Sequence, residues 1–260
     1  MTTFSSTTPR RRGGGLPGAV AAEWSKLWSV RSTWWCLAGA VALTVLTAPV
    51  IGATMANNRG EDVGVPVGEV AVATVYVAQF ALVALAMLAV TAEYASGAIR
   101  TTLQAVPRRG VLLAAKGAVV GLVGLAAGTV LGLLGAGVGA LSLGDRALVA
   151  GAPVAGTALR TGVCLALLGV LTVGAAVAVR SAAGTLTVVF VGLTVLPVVL
   201  QASDAGPLVY LAERMPNAAG GVFMNAGGGP YGAWTALVLL VLWSAGVLFL
   251  GDRVLRARDA

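Results

Sequence analysis

Histidine is absent from this 260-residue chain, and lysine occurs only at Lys26 and Lys116. Without histidine there is no Ser-His-Asp or Cys-His catalysis and no imidazole-bound metal. Neither lysine follows a glycine, so the phosphate-cradling GxxxxGK[ST] loop is missing and the chain carries no P-loop ATPase of its own. The two cysteines, Cys36 and Cys164, sit in apolar stretches with no CxxC spacing and read as small hydrophobes. Charge is equally scarce. Charged residues make up 10% of the chain, 17 basic and 10 acidic, against about 25% in a soluble domain. Hydrophobic residues reach 58% and the mean hydropathy is +0.91. So few charges cannot wet a globular surface of this size, and the composition predicts an integral membrane protein.

A helix crosses a hydrocarbon core of about 30 Å with about 20 apolar residues. The candidate spans are Trp34–Met55, Val70–Ala92, Val111–Leu141, Thr161–Val179, Thr185–Ser203 and Trp234–Leu250. The predicted fold is all-α and polytopic, with six transmembrane helices over residues 34–255. Lys116 is the only charged residue inside these spans, near one end of the third. Orientation follows from the flanking Lys and Arg. Arg10, Arg11, Arg12, Lys26, Arg31, Arg100, Arg108, Arg109, Lys116, Arg180, Arg253, Arg256 and Arg258 share one side, against Arg59, Arg146, Arg160 and Arg214 on the other. The richer side is expected in the cytoplasm, with both termini. The net charge of +7 is then a matter of topology, and no nucleic-acid partner is needed to explain it.

The tail, residues 1–18, is rich in Ser, Thr, Gly and Arg and is expected to be disordered. Residues 19–33 have helical period, with Val20, Trp24, Leu27 and Trp28 on one arc and Glu23, Ser25, Lys26 and Ser29 off it. This predicts an amphipathic helix on the inner membrane surface, with Glu23, Trp24, Lys26, Trp28 and Arg31 at the headgroup level. In the third span, Gly117, Gly121, Gly124, Gly128, Gly132, Gly135 and Gly139 recur every three or four residues. Such a stripe lets backbones approach closely; the packing residues are expected to be Gly121, Gly124, Gly128 and Gly132, with Val130 and Leu131 on the far side. An external segment, 204–233, is rich in Gly and Pro, and Leu208–Met215 could form a short external or re-entrant helix. Residues 256–260 form a short cytoplasmic tail.

The loop between the second and third spans, 93–110, is the most informative. If helical, Glu93, Gly97, Arg100 and Gln104 form one polar stripe, and Pro107 turns the chain. At depth the polar groups are neutral, among them Thr44, Thr74, Gln79 and Thr172. Ion-coupled transport normally places ionisable groups there. Any pumping would therefore draw its energy from a separate cytoplasmic subunit.

The run E-Y-x-x-G-x-x-R-T-T-L-x-x-x-P-x-R-x-x-x-x-x-x-K over Glu93–Lys116 resembles actinobacterial ATP-binding-cassette permeases of the type-2 exporter class. Glu23-Trp24-x-Lys26-Leu27-Trp28-Ser29-x-Arg31-Ser32-x-Trp34 is similar to their N-terminal helix, and Met215-Pro216-Asn217-Ala218-Ala219-Gly220 to the motif before their last span. Ala98 stands where these permeases often have Thr. The resemblance implies a transport subunit of a bacterial plasma membrane rather than an enzyme, with no cofactor in this chain and ATP and Mg on the partner. The partners it implies are a cytoplasmic ABC ATPase subunit and a second permease chain, with the bilayer around both. Glu93, Gly97, Arg100, Thr101, Gln104 and Pro107 are then the residues that couple to the ATPase, while the few polar side chains at depth suit a hydrophobic or amphiphilic cargo. The alternative is a six-span scaffold or assembly protein without transport.

Overall fold

A computed structural model describes residues 15–60, 63–99, 102, 104, 108–203 and 205–257. Among the described residues six helices are long and apolar enough to cross a membrane. These are α2 (Arg31–Arg59), α3 (Val67–Ala95), α4 (Arg109–Leu143), α5 (Gly151–Val179), α6 (Ala182–Gln201) and α9 (Ala233–Ala257). A helix α1 (Gly15–Ser29) precedes them, and α7 (Gly206–Glu213) and α8 (Pro216–Met224) fill the segment before α9. The chain is an all-α, multi-pass membrane protein. The only strand pairing among the described residues is a two-residue parallel bridge of Val65–Pro66 with Ala147–Leu148.

Burial orders the bundle. Within their most apolar stretches α3 and α5 are each 67% buried, α4 44%, and α2, α6 and α9 at most 22%. The centre is therefore α3 and α5 with α4 beside both, and the outer helices present Leu46, Val50, Val188, Val198, Leu242 and Phe249 outward. Water would penalise such a surface, whereas lipid does not. Inside the helices, the hydroxyls of Thr44, Thr74, Thr91, Thr129 and Thr172 donate to the carbonyl four residues back. Their polarity is thus satisfied locally, as hydrocarbon requires.

The glycine stripe of α4 divides between two neighbours. A Cβ on Gly124, Gly128 or Gly132 would stand 3.0, 2.9 or 2.8 Å from a backbone Cα of α5 (Ala166, Gly162, Ala158), and Gly121 faces Val170 at 3.4 Å. Further along, Gly135 and Gly139 turn to Ala71 and Val70 of α3, while Gly117 meets open space. Val130 is exposed, but Leu131 is buried against the core, so the two do not share a lipid-facing side. At about 1.5 Å per residue the 35 residues of α4 span about 52 Å, longer than a bilayer, which a helix accommodates by tilting or by projecting from it.

Several boundaries differ from those read in the sequence. Helix α1 begins at Gly15, inside the expected tail, and ends at Ser29. Val30 is extended (φ −99°, ψ 130°) and Arg31 opens α2. The Thr33 hydroxyl donates to the Leu27 carbonyl at 2.6 Å, satisfying the end of α1 and fixing the bend there. Helix α5 starts at Gly151 rather than Thr161, because a weakly apolar Ala/Gly/Thr run continues it past the hydrophobic stretch. Helix α9 runs on through Arg256, which pairs with Asp252 at 2.7 Å. Ahead of Pro197 in α6, Val191–Val195 widen into a π turn; proline has no N–H to donate to the Leu193 carbonyl.

Candidate functional site

Both lysines of the chain meet in one cluster at the basic end of the bundle. Lys116, on the first turns of α4, is only 4% exposed. A buried ammonium has three N–H groups to satisfy, and the structure supplies Glu23 Oε2 at 2.7 Å, Glu93 Oε1 at 2.9 Å and the Ala89 carbonyl at 3.2 Å. Lys26, on α1, mirrors it. Its Nζ donates to Glu23 Oε1 at 2.8 Å, to Glu93 Oε1 at 3.0 Å and to Thr102 Oγ1 at 3.3 Å. Two cations and two carboxylates thus join α1, the end of α3, the start of α4 and the segment that follows α3.

The electrostatics balance at zero net charge, which makes burial tolerable. Burial alone would lower the Lys26 pKa, but hydrogen bonds and charge from Glu23 and Glu93 outweigh it and hold the pKa above the usual 10.5. Glu93 Oε2 is buried without a partner among the described residues. The cluster lines a cavity of about 340 Å³ whose other walls include Leu27, Leu85, Val119 and Val120.

Helix α1 differs here from its sequence reading. Its buried residues are Ala19, Glu23 and Leu27, while Trp24 is 40% exposed. Lys116 draws the carboxylate inward, so the buried face is set by an ion pair as well as by the apolar arc. The tryptophans form an edge-to-face and tilted chain, Trp24–Trp28 at 5.6 Å and Trp28–Trp34 at 5.1 Å, which spans the bend into α2. Arg31 belongs to α2 and is exposed.

The proposed polar stripe does not form as one helix face. Helix α3 ends at Ala95, and Gly97 takes a left-handed φ of +72° that closes it, with the Gly97 N–H donating to the Tyr94 carbonyl at 3.3 Å. Glu93 therefore points into the cluster, with 13% of its side chain exposed. After Gly97 the chain turns back toward helix, the Thr102 N–H donating to the Ala98 carbonyl at 3.0 Å; Ile99 is buried and Gln104 is exposed. Arg100, Thr101 and Pro107 lie outside the described residues. The turn between α5 and α6 joins the same region, since the Arg180 guanidinium lies 5.4 Å over the Tyr94 ring. Arg180 is thus more than a topological charge.

Sequence reasoning treated Lys116 as a marker of orientation and missed its partners. The signal was present: an ionisable residue inside a span needs a partner, and Glu23 and Glu93 were two of the few carboxylates assigned to that side. At the opposite end, Arg59 pairs with Glu69, and Arg146 donates to the carbonyls of Ala56, Gly60 and Val63, tying the loops after α2 and α4 together. There α8 is wedged into the bundle rather than lying outside it. Gln79 donates to Asn217 at 3.3 Å, and Gly220 and Gly221 lie flush against Cys164 and Tyr76. A search with family models finds no match to the chain, and none of the curated proteins compared with it matches.

Proposed function

We propose that this chain is the membrane-spanning subunit of an ATP-binding-cassette exporter of a bacterial plasma membrane. It works as one of two six-span chains, with ATP and Mg bound and hydrolysed on a separate cytoplasmic subunit. The observation that carries the reading is the buried Glu23–Lys116–Glu93–Lys26 cluster. A permease driven from outside must pass a displacement of its cytoplasmic surface into its spanning helices. Here the segment after Gly97 is bonded through Thr102 to Lys26, and Lys26 shares both carboxylates with Lys116. A push on that segment therefore reaches α1, α3 and α4 together, and α4 is locked to α5 by its glycine seam. The coupling surface is the segment that ends at the exposed Gln104, including Arg100, and Glu93 anchors it from within.

The test is co-expression with a cassette ATPase encoded beside this chain, followed by co-purification and ATP hydrolysis in proteoliposomes. Arg100→Glu is expected to abolish co-purification at equal membrane levels, whereas Arg253→Glu, an exposed charge at the end of α9, should leave it unchanged. Lys116→Met should retain the complex but uncouple hydrolysis from transport. Wild-type complex and activity in Arg100→Glu would remove the docking role and favour a scaffold.

A further inference from the structure

At the end of the bundle away from the ion cluster lies a cavity of about 810 Å³, between the starts of α3 and α5 and the end of α8. Its walls are largely apolar, with Met55, Val72 and Val154 among them, and its polar groups include Glu69, Tyr76 and Arg160. The volume lies within the range of sites for small organic ligands, about 300–1,000 Å³. Its rim is exposed at Leu148, Pro153 and Asn225.

The charge balance of this cavity is uneven. Glu69 is neutralised by Arg59. Arg160 has no hydrogen-bond or ion-pair partner among the described residues, and its guanidinium lies back along its own helix, 3.6 Å from where a Cβ on Gly156 would stand. Arg160 lies inside α5, nine residues past its start, and Arg180 caps its end. Twenty residues of helix between them measure about 30 Å, the thickness of the hydrocarbon core. With Arg180 at the inner boundary, Arg160 stands at the outer one, at headgroup depth, beside apolar walls.

We propose that this cavity binds an amphiphile with a single anionic headgroup, a carboxylate or phosphate, held by Arg160 while its hydrocarbon chain lies along Val72 and Val154. An arginine fork suits either group, and a neutral or cationic headgroup would leave the guanidinium unpaired. Assigning that amphiphile as the exported cargo rests on the exporter reading, but the binding itself does not.

The test uses the full chain in a neutral maltoside detergent, with binding read by native mass spectrometry. The probes are palmitate, hexadecyl phosphate, hexadecanol, hexadecyltrimethylammonium and inorganic phosphate. The two anionic amphiphiles should bind the wild-type chain about tenfold or more tightly than hexadecanol or the ammonium. Arg160→Gln should erase that preference, Arg160→Lys should restore most of it, and Arg214→Gln, outside the cavity, should not change it. Val154→Phe should weaken binding by filling the cavity while Arg160 stays. Equal binding of hexadecanol by the wild type, which needs no variant, overturns the proposal. So does an undiminished preference in Arg160→Gln. Full binding in Val154→Phe would mean a headgroup held at the surface, as by surrounding lipid, and displacement of the probes by equimolar inorganic phosphate would mean a free-anion site; either also overturns it. Anionic binding with no ATPase coupling would fail the exporter reading alone.

Discussion

Lys116 and Lys26 carry the same charge, share the same two carboxylates and differ in exposure: 4% of the Lys116 side chain is accessible against 43% for Lys26. Their contributions should differ accordingly. Lys116→Met leaves Glu23 and Glu93 sharing only the more exposed Lys26, with one negative charge in excess at a buried site, and is expected to cost about 3–5 kcal/mol. Lys26→Met removes a solvent-screened pair and should cost no more than about 1 kcal/mol. Denaturation of the detergent-solubilised protein measures both. If Glu23→Gln restores part of the loss in Lys116→Met, the penalty belongs to the excess carboxylate charge. The sign of the pH effect follows from the raised Lys26 pKa. Its contribution is fully present below the ordinary lysine pKa of 10.5 and fades only as pH rises through the folded value. The Lys26→Met difference should therefore be flat through neutral pH and shrink in strong alkali. The sequence displayed these four residues but not their meeting, because Glu23 and Lys116 are 93 positions apart.

Helix α4 shows how one periodic stripe serves two neighbours. Its 3.6-residue turn drifts against a mixed three- and four-residue spacing, so Gly124–Gly132 address α5 while Gly135 and Gly139 address α3. What a side chain would strike on α5 is backbone, which cannot rotate away. Gly128→Ala or Gly132→Ala should cost about 1–3 kcal/mol through overpacking, and Leu at either position more. Gly137→Ala meets open space and should be neutral or gain up to about 1 kcal/mol of helix propensity. A thermal-stability series in detergent separates the two groups; equal tolerance would mean the seam is not tight. The stripe was legible from spacing alone. Its division between α5 and α3 was not, because it depends on where the neighbouring helices cross.

Across the whole molecule, α1 and the end of α9 lie at the same end: Lys116 ties α1 to the start of α4 through Glu23, Arg109 there donates to the Leu255 carbonyl, and the Arg256 guanidinium approaches Gly110. An even number of spans requires this, and the excess of Lys and Arg at that end predicts that it faces the cytoplasm. Reporter fusions after Asp62 and Gly227 should score as external, and fusions after Arg109 and Asp259 as internal. An external C-terminus would overturn the orientation.

Hydropathy and the placement of Lys and Arg determined the number of spans and their alternation, because the cost of moving charge into hydrocarbon is large and local in sequence. Residue spacing also marked the glycine stripe and the amphipathic character of α1. Tertiary structure decided the rest. Gly97 could sit within a helix or close one, and only the left-handed turn shows that it ends α3 and sends Glu93 inward. Glu23 lay off the apolar arc of α1, and only the arrival of Lys116 made the carboxylate its buried side. Arg160 flanked an apolar run in the sequence and became part of a cavity once α5 extended past it and α8 folded back into the bundle. In each case the deciding partner comes from a distant part of the chain, and a pairing energy of that kind has no local signature.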